Sequence, residues 1–283
     1  MKQEGEIFLR EQVQHIRAAV IGDVMADRYI FGSVNRISPE APVPVNLVQF
    51  EKSVLGGAAN TAANLAALGC RVYAAGMRGE DENGKILHGL FRQIGIDDSG
   101  ILVRKEYSTI TKMRILGARQ QMMRLDFERK EPLDEKGLQS VLQWLENRHD
   151  EGLDCIILSD YGKGFITPQL AQEVIRRGHR WKLPVLVDPK GSDWHKYTGA
   201  YGITPNLKEL SDCCGRAICN EDEDIEREGV LIREKYHLKY LFVTRSEKGI
   251  TSIGSKEIIH CPAMARDVFD VSGAGDTVMA VLA

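Results

Sequence analysis

The chain has 283 residues, 43% of them hydrophobic and 27% charged, a balance that supports one large buried core. Its net charge of -3 provides no broad basic field for nucleic acid, and no apolar run approaches the length of a membrane-spanning helix. A cytoplasmic location is the default expectation, since the charged residues 1–14 lack a signal-peptide pattern, and the six cysteines, with no CxxC pair, read as reduced structural thiols.

In chain order, residues 17–24 (RAAVIGDV) form a short apolar run ending in Gly-Asp. This predicts a buried first strand that presents Asp23 at its carboxyl edge, where open α/β sheets meet their ligands. Residues 29–50 change to turn formers and β-branched residues, and Pro39, Pro42 and Pro44 exclude a helix, so the stretch reads as a small protruding β-lid of edge strands. From Gly56, the segment GGAANTAANLAALG predicts a small-residue helix suited to close packing, and RVYAAGMRG predicts the next strand.

Helical patterns at 138–148 and 169–177 then alternate with strand patterns at 155–159 (CIILS), 184–188 (PVLVD) and 240–244 (YLFVT). That rhythm predicts an α/β fold with a doubly wound, mostly parallel sheet flanked by helices, in a single domain over residues 1–283. The acidic stretch 220–228 (NEDEDIERE) reads as a solvated helix start or loop.

The segment DVFDVSGAGDTVMAVL, residues 267–282, is the most informative. Gly273, Ala274 and Gly275 allow backbone N–H groups to converge on an anion at the start of an apolar helix, whose dipole favours developing negative charge. Asp276 then stands where it can accept a hydroxyl proton, the arrangement that phosphorylation of an alcohol requires. An ordinary helix start with Asp276 as its cap fits the same residues, so this segment alone leaves both readings open.

Asp270-Val271-Ser272-Gly273-Ala274-Gly275-Asp276 resembles the DxxGAGD motif of the ribokinase-like, or PfkB-type, carbohydrate kinases. Gly56-Gly57-Ala58-Ala59-Asn60 resembles that family's earlier diglycine motif, which implies sugar contacts for Gly56, Gly57 and Asn60. With the lid, the resemblance covers essentially the whole chain and implies a ribokinase-like fold that uses ATP and Mg²⁺. Family members continue with more helix beyond the position of Ala283, so a truncated C-terminal end is expected, and lids of this kind often pair between subunits, which implies a homodimer.

A narrower resemblance is to the bacterial heptose 7-phosphate kinases, carried by the lid segment 35–44 (NRISPEAPVP), by QQMMRLD at 120–126 and by SDYGKG at 159–164. It implies phosphorylation of D-glycero-β-D-manno-heptose 7-phosphate at the anomeric hydroxyl, on the route to ADP-heptose and the lipopolysaccharide inner core, and a sugar contact for Asn35. The residues fit a phosphorylated substrate. Arg114, Arg119 and Arg124 occur in one short region beside Lys112, natural partners for a phosphate dianion, although a solvated strand face explains them equally well. Lys163, between two glycines, is a stronger candidate, and Asp160 is a candidate to hydrogen-bond sugar hydroxyls, while a tight turn after a strand is the competing reading of residues 159–164.

For the nucleotide, Asn206-Leu207-Lys208-Glu209 resembles the family's NxxE segment, which implies that Glu209 acts through water on Mg²⁺; the same residues also read as a capping box. Lys190, just beyond a predicted strand, is a candidate phosphate contact, and a solvated lysine explains it nearly as well. Residues 244–249 (TRSEKG) correspond to the segment beneath the nucleotide, of which Thr244 and Gly249 carry over, while Ser246 stands where the family commonly has glycine. Residues 79–85 imitate a P-loop, but Ile86 replaces the required Ser or Thr and acidic residues crowd the turn. The seven histidines show no metal-ligand spacing.

Overall fold

The computed structural model describes residues 11–117, 120–264 and 273–283. The first half runs β1 (Arg17–Gly22), β2 (Val24–Ile37), β3 (Pro44–Gly57), α1 (Ala58–Leu68), β4 (Arg71–Gly79), α2 (Glu82–Ile94), β5 (Asp97–Arg104), β6 (Thr111–Gly117) and β7 (Gln120–Phe127). The second runs α3 (Glu135–Asp150), β8 (Cys155–Ser159), α4 (Pro168–Trp181), β9 (Val185–Asp188), β10 (Gly202–Ile203), α5 (Leu207–Cys214), α6 (Asp222–Lys235), β11 (Tyr240–Thr244), β12 (Ile250–Ile253), β13 (Ile258–Cys261) and α7 (Ala274–Leu282).

Nine strands form the main sheet in the order β13-β12-β11-β10-β9-β8-β1-β4-β5, and only the pairings β11/β12 and β12/β13 are antiparallel. The chain winds outward from β1 through β4 to β5, then returns to lay β8 on the other side of β1 and winds out to β11. The direction therefore reverses between β1 and β8, and a crevice opens at their carboxyl ends.

Alternation along each strand sends side chains to two separate cores. Ala19 and Ile21 of β1 pack with Leu145, Leu158, Leu170 and Leu210, beneath the layer of α3 to α6. Ala18 and Val20 face the opposite way, onto Ala58, Leu65, Phe91 and Met279 of α1, α2 and α7. The alanines of α1 let its backbone sit close to β1 and to α7, and complete burial of Leu65 contributes about 2–3 kcal/mol.

Local signals set the helix ends. Thr167 caps α4, its hydroxyl accepting from the Leu170 N–H at 3.1 Å with Pro168 in the first turn, and Asp134 caps α3 in the same way. The P-loop look-alike is the start of α2, where Asp81 is the cap. Asp81 also accepts from the Thr109 N–H at 2.8 Å and the Thr109 hydroxyl at 2.6 Å, which pins the junction between the main sheet and β6.

The lid is larger than the sequence suggests. It is a four-stranded sheet, β3-β2-β6-β7, in which β2 and β3 span 24–57 rather than 29–50. Pro39 and Pro42 fall in the tip between those strands, and Pro44 opens β3. The basic cluster and the QQMMRLD segment are its other two strands. Because paired residues share a face, Asp27, Lys112 and Asp126 form one row, and Tyr29, Arg114 and Arg124 form the next. The opposite face carries Met123, Leu125 and Phe127, which are 55%, 37% and 44% exposed.

The acidic stretch is not simply solvated either. It opens α6, where Asp222 pairs at 2.6 Å with the guanidinium of Arg245, 2% exposed, and Glu228 is buried against Arg216 and Arg227. A buried guanidinium needs a carboxylate partner, and the charge run supplies it. All six cysteines are free, with Cys70 and Cys155 buried.

Candidate active site

At the crevice, the loop 160–165 leaves the end of β8, and two buried acids set its shape. Asp23, 2% exposed, accepts backbone N–H bonds from Tyr161 at 2.9 Å, Lys163 at 3.0 Å and Phe165 at 3.1 Å. Burial pushes its pKa up, and those three donors partly offset the rise. Asp160 accepts from the Gly162 N–H at 2.6 Å, from Tyr197 Oη at 2.7 Å and from Lys196 Nζ. The three N–H groups make Asp23 a brace for the loop, whereas Asp160, besides its protein donors, lies in the lining of a cavity beside Asp276. Gly164 completes the loop at φ 113°, where a β-carbon would lie 2.4 Å from the Glu131 carbonyl oxygen.

Asp276 lies between α1 and α7, 4% exposed. Its Oδ2 accepts from Asn60 Nδ2 at 2.7 Å, and its Oδ1 accepts from Thr61 Oγ1 at 2.9 Å and Tyr161 Oη at 2.8 Å. Asn64 Nδ2 donates to Thr277 Oγ1 at 3.3 Å one turn further along the same two helices. Burial raises the pKa of Asp276 most, the bonds from Asn60, Tyr161 and Thr61 lower it, and the charge of Asp27 raises it. Gly273, at φ 78°, precedes the first turn of α7, so two helix N-termini meet at this carboxylate. Asp270, Val271 and Ser272 of the second motif, and Arg119, lie outside the described residues.

A cavity of about 190 Å³ opens beside this pair. Gly273, Gly275 and Asp276 line it together with Asp160, Tyr161, Asp188, Lys190, Asn206, Glu209 and Thr244. Asn206 and Glu209 make a reciprocal capping box, and Glu209 Oε1 also accepts from Lys190 Nζ at 3.0 Å. Asp188 has its pKa driven well up, by burial first and then by Asp276, Glu209 and Asp160, with Lys190 opposing. Carboxylates concentrated beside a single lysine are a donor set suited to a hard divalent cation. Among the described residues, no three His, Cys, Asp or Glu side chains converge into a cage. A small hard cation bound through one or two carboxylates keeps water and phosphate oxygens in the rest of its shell.

Other residues singled out by the sequence stand outside this lining. Leu207 packs against the core, and Lys208 extends from α5 to Asp212 at 2.6 Å. Gly249, at φ 85°, allows the Cys261 carbonyl to approach, since a β-carbon there would be 2.0 Å from it. Ala274 is exposed in the first turn of α7.

The charged side chains on one face of the lid are held in ion pairs. Arg114 Nη1 donates to Asp27 at 2.8 Å and lies over the Tyr29 ring, and Gly56 makes room for the Asp27 carboxylate, which a β-carbon there would approach to 2.7 Å. Lys163 pairs with Glu128 at 2.6 Å, Lys112 with Asp126 at 3.2 Å, and Arg124 grips Asp126 through two nitrogens. Gly57, at φ 56°, caps α1 against the Asp23 carbonyl. Asn35 is exposed at a bulge near the lid tip, about 25 Å along β2 from Asp27 at strand rise, so it does not reach the site of its own chain.

Asp27, Thr61, Tyr161 and Asp188 are among the residues of the site that escape the sequence reading. Thr61 and Tyr161 adjoin residues that motifs do identify, and both are found only once α1 and the loop 160–165 are brought against α7. Asp27 lies four positions beyond Asp23, on the strand that crosses from the sheet into the lid.

A desolvated carboxylate at two helix N-termini beside a cavity suits an enzyme that transfers a phosphoryl group to an alcohol, the class to which carbohydrate kinases belong. The chain belongs to the pfkB family of carbohydrate kinases, whose sequence pattern matches residues 16–283. It is 46% identical to the bifunctional protein HldE of Geobacter sulfurreducens over 268 residues, covering 94% of this chain and 54% of that one. The protein of the same name from Haemophilus influenzae is 44% identical over 273 residues, with 96% and 56% covered. The chain thus spans about half the length of these relatives. Its fold is similar to Arabidopsis thaliana ribokinase complexed with ribose and ATP (TM-score 0.70, 21% identity, 94% and 83% covered). It is also similar to Escherichia coli phosphofructokinase-2 in complex with substrates and products (TM-score 0.74, 17% identity, 94% and 84% covered).

Replacing Asp23 by alanine strands three N–H groups of the loop. The expected loss is about 3 kcal/mol, a fall in Tm of roughly 6–12 °C, read from urea and thermal unfolding. A loss below about 1 kcal/mol would show that the loop holds its shape without the carboxylate.

Proposed function

We propose that this chain transfers the terminal phosphoryl group of ATP to the anomeric hydroxyl of D-glycero-β-D-manno-heptose 7-phosphate, giving the 1,7-bisphosphate on the route to ADP-heptose and the lipopolysaccharide inner core. The observation that carries the chemistry is Asp276, a buried carboxylate with an elevated pKa beside the glycine turn 273–275. The elevated pKa makes it the better proton acceptor for a hydroxyl, and the N–H groups of the turn face the charge that accumulates on the transferring group. Magnesium, when bound, neutralises charge on the nucleotide phosphates, and Glu209, through water, and Asp188 are the residues that would hold it.

Two features support a phosphorylated sugar. The relatives that share 43–46% identity are named as bifunctional HldE proteins, in keeping with the resemblance to heptose 7-phosphate kinases. One face of the lid also offers Lys112, Arg114 and Arg124, and the loop 160–165 adds Lys163, which reaches Glu128 just beyond β7. Their carboxylate partners keep these cations ordered until a phosphate competes for them. Asp27, bonded to Arg114 and close enough to act on Asp276, is the group best placed for sugar hydroxyls. The exposed apolar face of the lid suits pairing with the same face of a second copy.

A coupled ADP-release assay with heptose 7-phosphate, ribose, fructose and fructose 6-phosphate is expected to give turnover selective for the first. Turnover of another sugar alone would discard the heptose assignment. Lys163→Met is expected to raise KM for the sugar phosphate about 10–100-fold with little change in kcat, the size of one charge-assisted phosphate contact. An unchanged KM would remove Lys163 from the phosphate site. For the lid, sedimentation equilibrium is expected to show a dimer that Phe127→Asp with Met123→Asp converts to monomer. A monomer before substitution would contradict the pairing.

A further inference from the structure

A carboxylate has about four lone-pair sites on its two oxygens, and at Asp276 three are taken. Thr61 and Tyr161 both donate to Oδ1, at 2.9 and 2.8 Å, whereas Asn60 alone donates to Oδ2, at 2.7 Å. The remaining acceptor direction is on Oδ2, the oxygen that a methyl group at Gly273 would approach to 3.8 Å, so it is also the oxygen towards the glycine turn. We infer that Tyr161 is a positioning residue: by saturating Oδ1 it directs the acceptor hydroxyl to Oδ2, beside the group to be transferred. The inference rests on the reading of Asp276 as the base.

The three donors are not equivalent. Asn60 and Thr61 are neighbours on α1, which already packs against α7, so helix packing fixes their contact with Asp276. Tyr161 arrives from the opposite side, on the loop whose backbone Asp23 locks at positions 161, 163 and 165. Two residues further on, Lys163 reaches Glu128, just beyond β7 of the lid. Tyr161 therefore joins the base to the element that meets the lid and the sugar.

Its hydroxyl stays a neutral donor. Burial and then the charges of Asp276, Asp188 and Asp27 hold its pKa far above that of an ordinary tyrosine. Around Asp276 itself stand Asn60 and Thr61 from α1, Asp27 from the lid, Asp188 from β9, and Tyr161. Of these, Asp27 and Asp188 act only as charges, and neither restrains the orientation of the carboxylate by a hydrogen bond.

The test is the pH profile of Tyr161→Phe, with folding checked by Tm and ATP affinity. A donor to a carboxylate lowers its pKa, so losing one raises it. The acid limb of kcat/KM is expected to move up by about one pH unit, the order of one hydrogen bond to a charged group. At the plateau, kcat is expected to fall about tenfold while KM for both substrates changes less than about threefold, as befits an interaction acting on the base rather than on binding. A limb and kcat that match the unaltered protein overturn the inference, and so does a fall in activity confined to KM.

If the variant does not fold, 3-fluorotyrosine incorporated throughout the chain provides the same test with the opposite sign. The fluorinated phenol is a stronger donor, Tyr161 is the one tyrosine bonded to Asp276 among the described residues, and the limb is expected to move down. No movement overturns the inference. The profile is read with whichever sugar of the panel turns over, so failure of the heptose assignment and failure of the positioning role give different results.

Discussion

The carboxylate of Asp276 is held out of water where α1 and α7 meet, and much of the surrounding structure follows from keeping it there. A buried acid tends to take up a proton and become neutral, and neighbouring negative charge from Asp27 adds to that tendency. Three hydrogen bonds oppose it and leave an anion of raised basicity. Two helix N-termini, glycines that open a turn at its edge, and alanines that let α1 and α7 approach closely all serve one small volume.

Around that centre, buried acids have two different uses. Asp23, Asp81 and Asp160 give their oxygens to the chain itself, fixing the loop after β8 and the junction beneath the lid. Asp188, Glu209 and Asp276 line the cavity, and Asp160 belongs to both groups. The first group makes the second possible, because loop 160–165 carries Tyr161 to the base and Lys163 to the lid on a backbone that Asp23 fixes at alternate positions. The lid divides its chemistry by face in the same way, with charged rows on one face and an apolar surface on the other.

Much of this was legible in the sequence where a signal is local. Glycines before an apolar helical run marked α7, the small-residue run marked α1, and short apolar runs marked β1, β4, β8, β9 and β11 almost to the residue. Partnership between distant segments was not legible. Asp23 looks like a ligand-facing group at a strand end, and only the return of residues 161–165 onto it reveals three N–H groups as its partners. Strands β6 and β7 read as a cluster of positive charge because each alternates charged and apolar side chains, and pairing with β2 is what sorts those into two faces. Asp222 could not be told from a solvated acid until β11 delivered the buried Arg245 beside it.

Steady-state turnover and ATP affinity of Asp276→Asn, measured together with the unaltered protein, bear most directly on the central claim. Asparagine preserves the shape of the side chain and removes its basicity. Turnover is predicted to fall at least about a hundredfold, with ATP affinity and Tm nearly unchanged. Turnover within a few-fold of the unaltered protein would contradict the account, since another group would then be taking the proton.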